Sequence, residues 1–381
     1  MRILFAASLH HPEALRAAIA ATTPGEPVPL FPPSMAQHFY ERAFRKRGHV
    51  LDVFYRNNPG RQTPRHREGI TPGKLIAGAL NRIPPELNPS IQAINRAFIA
   101  KARAFQPDIV WMVGDNTTLT PDALIEVKGA TGAALVYACG TSPIVFSHRI
   151  DRAAARLYDL VITSDYYHGV QWLELGAARM ECLPLSACDP DFHKPYVLTD
   201  DERAAHGCDI AFVGTLVPDH LYSRRVRALE ALRDFDLGIW SVHDVPESLR
   251  SFVRGAALGE SMQRILSAAK ICINTHGDFV HYGGNLRLFE VAGANVFQLV
   301  DDLPGVRAWF PDHDGTPMLL AYRDADDLHA KVRHYLDHAD QRVAAASRAQ
   351  THVYRHHTYE NRVERLETLF AEVHKVKKVR Y

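Results

Sequence analysis

Several things are scarce in this sequence, and each scarcity excludes something. Five cysteines occur in 381 residues (Cys139, Cys182, Cys188, Cys208 and Cys272), with no CxxC pair and an odd one over. That excludes a disulfide framework and points to free thiols in a reducing compartment. No apolar run approaches the roughly 20 residues a membrane helix needs. Residues 1–7 read as a strand with one arginine, followed by His and Pro, rather than a secretory leader. A cytoplasmic protein with no transmembrane segment is therefore expected. Charge of one sign is also lacking: 44 Lys+Arg against 43 Asp+Glu leave a net +1, no basis for general nucleic-acid binding. Neither GxGxxG nor GxxxxGK[ST] occurs, which argues against a simple dinucleotide dehydrogenase and a P-loop kinase. The 21 histidines are scattered without HExxH or Cys/His ligand spacing, so no metal site is expected.

What is present describes an ordinary globular chain, 46% hydrophobic and 23% charged. It is too long for one typical core, so two domains are expected. Apolar β-favouring runs at 2–7, 50–55, 108–113, 133–138, 157–163 and 180–183 alternate with helical patterns at 34–47 and 88–105. A further helix opens at Thr120-Pro121, with proline in its first turn. A second series of strands follows at 209–215, 235–240, 271–274, 295–300 and 318–322, with helices at 223–232, 259–269, 306–310, 325–337, 341–352 and 359–373. Strand–helix alternation predicts α/β architecture with doubly wound parallel sheets. Residues 186–205 lack periodicity and read as a linker. The domains expected are 1–190, 205–355 and a C-terminal helix with basic tail at 356–381. Residues 57–73, rich in Pro, Gly, Arg and Asn, read as a lid-like loop.

The stretch 270–302 organises the rest. Its βαβ pattern places a loop with two glycines, 276–284, at the carboxyl end of a strand, where open parallel sheets bind ligands. Asn285 is placed to cap the next helix, and Gly293 to end it in the left-handed conformation. Gly283 and Gly284 allow close backbone approach, leaving free amides at the helix N-terminus for a phosphate. Arg287 and Glu290 share one helical face, suited to a diphosphate and to paired sugar hydroxyls respectively. The same spacing also fits an ordinary solvated ion pair. Arg224 and Arg225 fall in the first turn of a helix, where positive charge opposes the dipole and an anionic ligand would offset the cost.

The run Asn285-x-Arg287-x-Phe289-Glu290-Val291-x-x-x-Asn295-x-Phe297, with the acidic pair Asp301-Asp302 behind it, resembles the donor-site signature of group-1-type glycosyltransferases, above all the CgeB-like branch. Phe212-Val213-Gly214 and His357-Thr358-Tyr359-x-x-Arg362 fit the same pattern. The resemblance extends from about residue 158 onward. It implies the GT-B architecture, with two facing Rossmann-like domains and a last helix that crosses back to the N-terminal domain. It also implies a nucleoside-diphosphate-sugar as co-substrate, a UDP-sugar above all, with Glu290 holding the ribose hydroxyls. Many retaining members carry Glu-x7-Glu. Here the position eight before Glu290 is Tyr282, so retention or inversion stays open.

The function expected is transfer of a sugar from such a donor to an acceptor hydroxyl or other nucleophile, without a metal or other cofactor. Donor contacts are assigned to Gly214, Thr215, Arg224, Arg225, His276, Gly283, Gly284, Asn285, Arg287 and Glu290. An acceptor hydroxyl must lose a proton. Asp115, in the loop Gly114-Asp115-Asn116 after a strand, is the first choice of base; His11 is a second, with His10 and His148 behind it. A nucleotide-sugar epimerase and a non-catalytic nucleotide-sugar-binding protein are the alternatives. The acceptor is unknown: protein, polysaccharide, small metabolite and modified nucleobase all remain open.

Overall fold

The computed structural model describes residues 1–7, 35–56, 83–146, 149–312 and 317–379. Two compact units emerge, one of Met1–Leu185 with Arg362–Tyr381, the other of Ser186–Asn361. The lid-like loop expected at 57–73 lies outside the described residues.

In the first unit, strands β1 (Arg2–Ala7), β2 (Val50–Tyr55), β3 (Ile109–Val113), β4 (Ala134–Ala138), β5 (Leu160–Thr163) and β6 (Met180–Cys182) form one parallel sheet in the order β2-β1-β3-β4-β5-β6. The central strands are apolar throughout because both faces are covered. On one face Leu4, Val110 and Leu135 meet Phe98 of the Pro89–Phe105 helix. Asn88 caps that helix by accepting from the Ser90 and Ile91 amides, and Gln106 ends it with φ 48° just before Pro107. The C-terminal helix, Tyr359–Val379, packs its later residues into this unit: Phe370 lies 5.4 Å from Trp111 of β3 and 6.1 Å from Phe44. Arg47 and His49 hold Glu367 of the same helix.

In the second unit, β7 (Cys208–Val213), β8 (Leu237–Trp240), β9 (Val253–Gly255), β10 (Ala269–Asn274), β11 (Phe297–Asp301) and β12 (Leu320–Tyr322) pair in parallel, in the order β12-β11-β10-β7-β8-β9. Ile210, Ile239, Ile271 and Leu299 form the core of one face. The segment expected as linker is more ordered than its composition suggests. Thr199 accepts from the Glu202 amide while the Glu202 carboxylate takes the Thr199 amide, a capping box that starts the Asp200–His206 helix. Its acidic residues therefore occupy the turn where a helix dipole favours them.

In each sheet the sense in which successive strands are added reverses at one place. In the first sheet that switch lies between β1 and β3; in the second it lies between β7 and β10. Crevices at such points, outside the carboxyl ends of strands, are where open α/β sheets bind ligands. Among the described residues, no helix is long and apolar enough to cross a membrane.

Candidate functional site

The switch point of the second sheet gathers most of the residues assigned to the donor. Gly214 and Thr215 follow β7, and the loop from Thr275 to Asn285 follows β10. Arg225, from the Asp219–Glu230 helix, ties the two together: its Nε donates to the Thr275 carbonyl at 2.8 Å and its Nη1 to the Thr215 carbonyl at 2.9 Å. Its guanidinium lies over the Tyr222 ring, 4.7 Å from the centroid. Burial lowers its pKa from the ordinary value, and the field of Arg287 adds to the lowering, but an arginine stays charged.

Arg224 frames the same loop. The Asp219–Glu230 helix breaks its regular backbone at Tyr222 (φ −134°), which leaves the Ser223 and Arg224 amides without helical partners. Asp278 supplies the cap from a distant loop, accepting from Ser223 N at 2.8 Å and Arg224 N at 3.0 Å. Burial works against its charge, yet the Ser223 and Arg224 donors hold its pKa below the usual value. Arg224 Nη2 donates to the Asp278 and Val280 carbonyls, both at 2.9 Å, and Nη1 lies 3.6 Å from Asp301 Oδ2. The anion that offsets the two arginines at this helix turn is therefore a carboxylate of the protein itself, not solely a bound phosphate as expected.

His276 has a different place from the one assigned. It is fully buried, and Asp301 Oδ1 accepts from its backbone N–H at 3.0 Å and from its Nδ1 at 2.5 Å. Its Nε2 accepts the Asn285 amide at 3.1 Å, which fixes the Nδ1–H tautomer. His276 thus braces the loop from within the protein.

Asn285 is held twice more, by donating its Nδ2 to Asn274 Oδ1 (2.8 Å) and accepting the Leu288 amide at 3.3 Å. The helix behind it, Arg287–Gly293, is short, and the amides of Asn285, Leu288 and Glu290 are all engaged within the protein. Of the amides expected to face a phosphate at Gly283-Gly284-Asn285, that of Asn285 is thus already taken by His276. Gly284 is also required by the protein's own packing. A methyl group on Gly284 would stand 2.2 Å from Leu288 Cδ1 and 2.9 Å from Trp309 Cζ3, and the Gly305 amide bonds the Tyr282 carbonyl at 2.7 Å. The turn is thin because the protein closes against it.

Gly293 is likewise required for close approach: its Cβ would meet Cys188 Sγ at 2.6 Å and His193 Cβ at 2.8 Å. It is not left-handed, contrary to expectation; Asn295, with φ 58°, makes that turn two residues later.

Arg287 and Glu290 form an ion pair, and it is not the solvated one. Glu290 is only 7% exposed. Its Oε2 meets Arg287 Nη1, and its Oε1 faces His193 Nε2 at 3.8 Å. Burial alone would raise its pKa; Arg287 and His193 together hold it below the ordinary carboxylate value. A buried ion pair carries a heavy desolvation cost and is weak as a stabiliser. His193 and Asp278 are the two members of this site that sequence reasoning missed. The first hid in a segment read as linker, the second in a loop read only for its glycines.

At the switch point of the first sheet stands Asp115, solvent-exposed on the loop after β3, its Oδ1 accepting from Thr141 Oγ1 at 3.2 Å. Gly114 takes φ +79° to start that turn. Fully buried Arg56 supports it from below, donating to the Val113, Gly114 and Asp115 carbonyls. Asn116 donates to the phenol oxygens of Tyr137 and Tyr158, and both phenols donate to Asp151. Burial pushes Asp151 up to about 7. His10, His11 and His148 lie outside the described residues. No group of three or more His, Cys, Asp or Glu side chains suited to a metal ion occurs among the described residues.

Residues 219–368 match a family model described as glycosyl transferase-like, which spans this second-sheet site from Arg224 to Glu290. No curated protein matches the chain in sequence. Among solved structures, the Anabaena protein HepE in complex with UDP-glucose is similar, with TM-score 0.59 at 13% identity over 97% of this chain and all of that one. A glycosyltransferase from Rickettsia africae gives TM-score 0.61 at 11% identity, covering 98% of each chain. An alpha-glucosyltransferase in complex with UDP-glucose and DNA containing an abasic site gives 0.61 at 10% identity, covering 97% of this chain and 99% of that one. By fold, the chain is a two-domain α/β protein of GT-B architecture.

Proposed function

We propose that this chain is a glycosyltransferase that takes its sugar from a nucleoside-diphosphate-sugar, a UDP-sugar before others, without requiring a metal ion. One observation carries the proposal: a buried, ionised Glu290 and three guanidiniums, those of Arg224, Arg225 and Arg287, converge on the switch point of the second sheet. A carboxylate with one oxygen held by arginine retains acceptor capacity for vicinal hydroxyls. Fixed positive charge beside it stabilises a departing diphosphate. Support comes also from the glycosyl transferase-like match over 219–368 and from structural neighbours solved with UDP-glucose.

In this scheme the unit Ser186–Asn361 carries the donor, and Asp115 in the first unit removes the proton from the acceptor nucleophile. Arg56 and Asn116 serve it by fixing the turn on which it stands. The deciding experiment is a thermal-shift panel with UDP, GDP, dTDP, ADP and CMP, followed by product analysis with the matching nucleotide-sugar in the presence of EDTA. One nucleoside diphosphate should raise the melting temperature, and free nucleotide should be released with EDTA present. No shift with any of them would sink the proposal, as would an epimerised sugar nucleotide as the sole product.

A further inference from the structure

His193 is buried to 2% exposure on the turn Asp189–His193, away from the chain segment that holds Glu290, yet its ring is aimed at that carboxylate. Its tautomer is set locally. The Asp189 backbone N–H donates to Nδ1 at 2.8 Å, so Nδ1 carries the lone pair and the proton of the neutral ring sits on Nε2. Nε2 faces Glu290 Oε1 at 3.8 Å while Arg287 holds Oε2. That gap is longer than a hydrogen bond. The contact is electrostatic, steering Oε1 while its lone pairs keep acceptor capacity for a ligand.

The turn itself is anchored to the helix bearing Glu290. Tyr354 Oη donates to the His193 carbonyl at 2.9 Å and to the Gly293 carbonyl at 3.2 Å, and Gln350 also donates to the Gly293 carbonyl at 2.8 Å. The absence of a side chain at Gly293 is what lets the two segments touch. Several groups thus converge to set the distance between one imidazole and one carboxylate.

We infer that His193 is a positioning residue of the nucleotide site: it fixes Glu290 Oε1 in the orientation that accepts the ribose hydroxyls, an assignment resting on Glu290 as the ribose ligand. The two ring nitrogens have separable duties. Asparagine at this position can still accept the Asp189 amide through its Oδ1 but has no group that reaches Glu290. Glutamine extends an amide N–H toward the place of Nε2.

The test is titration calorimetry of the full chain with UDP and with 2′,3′-dideoxy-UDP, for wild type, His193→Asn and His193→Gln. Wild type should prefer UDP to the dideoxy analogue. His193→Asn should weaken UDP about tenfold and leave the dideoxy analogue unchanged, so the preference collapses; His193→Gln should recover most of it. A dissociation constant reports only folded, binding-competent protein, so partial misfolding of one variant does not mimic this pattern. Equal weakening of both nucleotides in both variants would make His193 a merely structural residue, and an unchanged preference in His193→Asn would remove its role altogether. Absence of nucleotide binding by wild type would instead overturn the donor-site assignment beneath it, which is visible before any variant is made.

Discussion

Asp301 takes both the backbone N–H and the ring Nδ1–H of His276, at 3.0 and 2.5 Å, and so ties the end of β11 to the loop after β10. Burial raises the cost of its charge, but His276 holds its pKa below the ordinary value. Asp301→Ala leaves two buried donors without partners. It should cost about 2 kcal/mol of unfolding free energy in urea titrations and weaken UDP, because the Asn285 amide hangs on the other side of the same imidazole.

Asp151 makes the opposite pH prediction to Glu290 and Asp301. Its pKa is raised to about 7 by burial, so its contribution to stability is complete below the unfolded value of 3.8 and is lost as pH rises through about 7. Its neighbours Tyr137 and Tyr158 are protonated throughout that range. The slope should approach about 1.4 kcal/mol per pH unit. Urea midpoints between pH 5 and 8 should fall more steeply for wild type than for Asp151→Asn. Parallel curves would mean the carboxyl ionises alike in both states.

The C-terminal helix should stabilise the first unit through Phe370, which is fully buried against Trp111 and Phe44. Phe370→Ala creates a cavity there and should cost about 3–5 kcal/mol, read as a lower melting temperature in calorimetry. A cost below about 1 kcal/mol would contradict that packing.

Gly293→Ala places a methyl group against Cys188 Sγ and the His193 backbone. Overpacking of this kind costs about 1–3 kcal/mol. Because the strain falls on His193, UDP affinity should drop along with stability, whereas Gly129→Ala, whose Cβ would meet nothing within 4 Å, should leave UDP affinity unchanged.

Much of this fold was legible because parallel strands covered on both faces read as continuous apolar runs: 2–7, 108–113 and 133–138 contain β1, β3 and β4. β9 was not, since Val253-Arg254-Gly255 is a short, exposed edge strand without apolar pattern. The Asp200–His206 helix carried a readable Thr-x-x-Glu signal that the surrounding prolines and acids masked. At the site, Arg287 and Glu290 are legible from helical spacing, but the smallness of Gly284 is set by Leu288 and Trp309 and that of Gly293 by Cys188 and His193, partners that local pattern does not reveal. Contacts between segments far apart in sequence, such as Asp278 capping Arg224 or His193 facing Glu290, leave no local trace to read.

The most direct test of the donor site is calorimetric titration of UDP into wild type, Arg287→Ala and Glu290→Ala. Binding should be measurable in wild type, weaker in Arg287→Ala and lost in Glu290→Ala. UDP bound equally well by all three would place the nucleotide elsewhere on the protein and contradict the account.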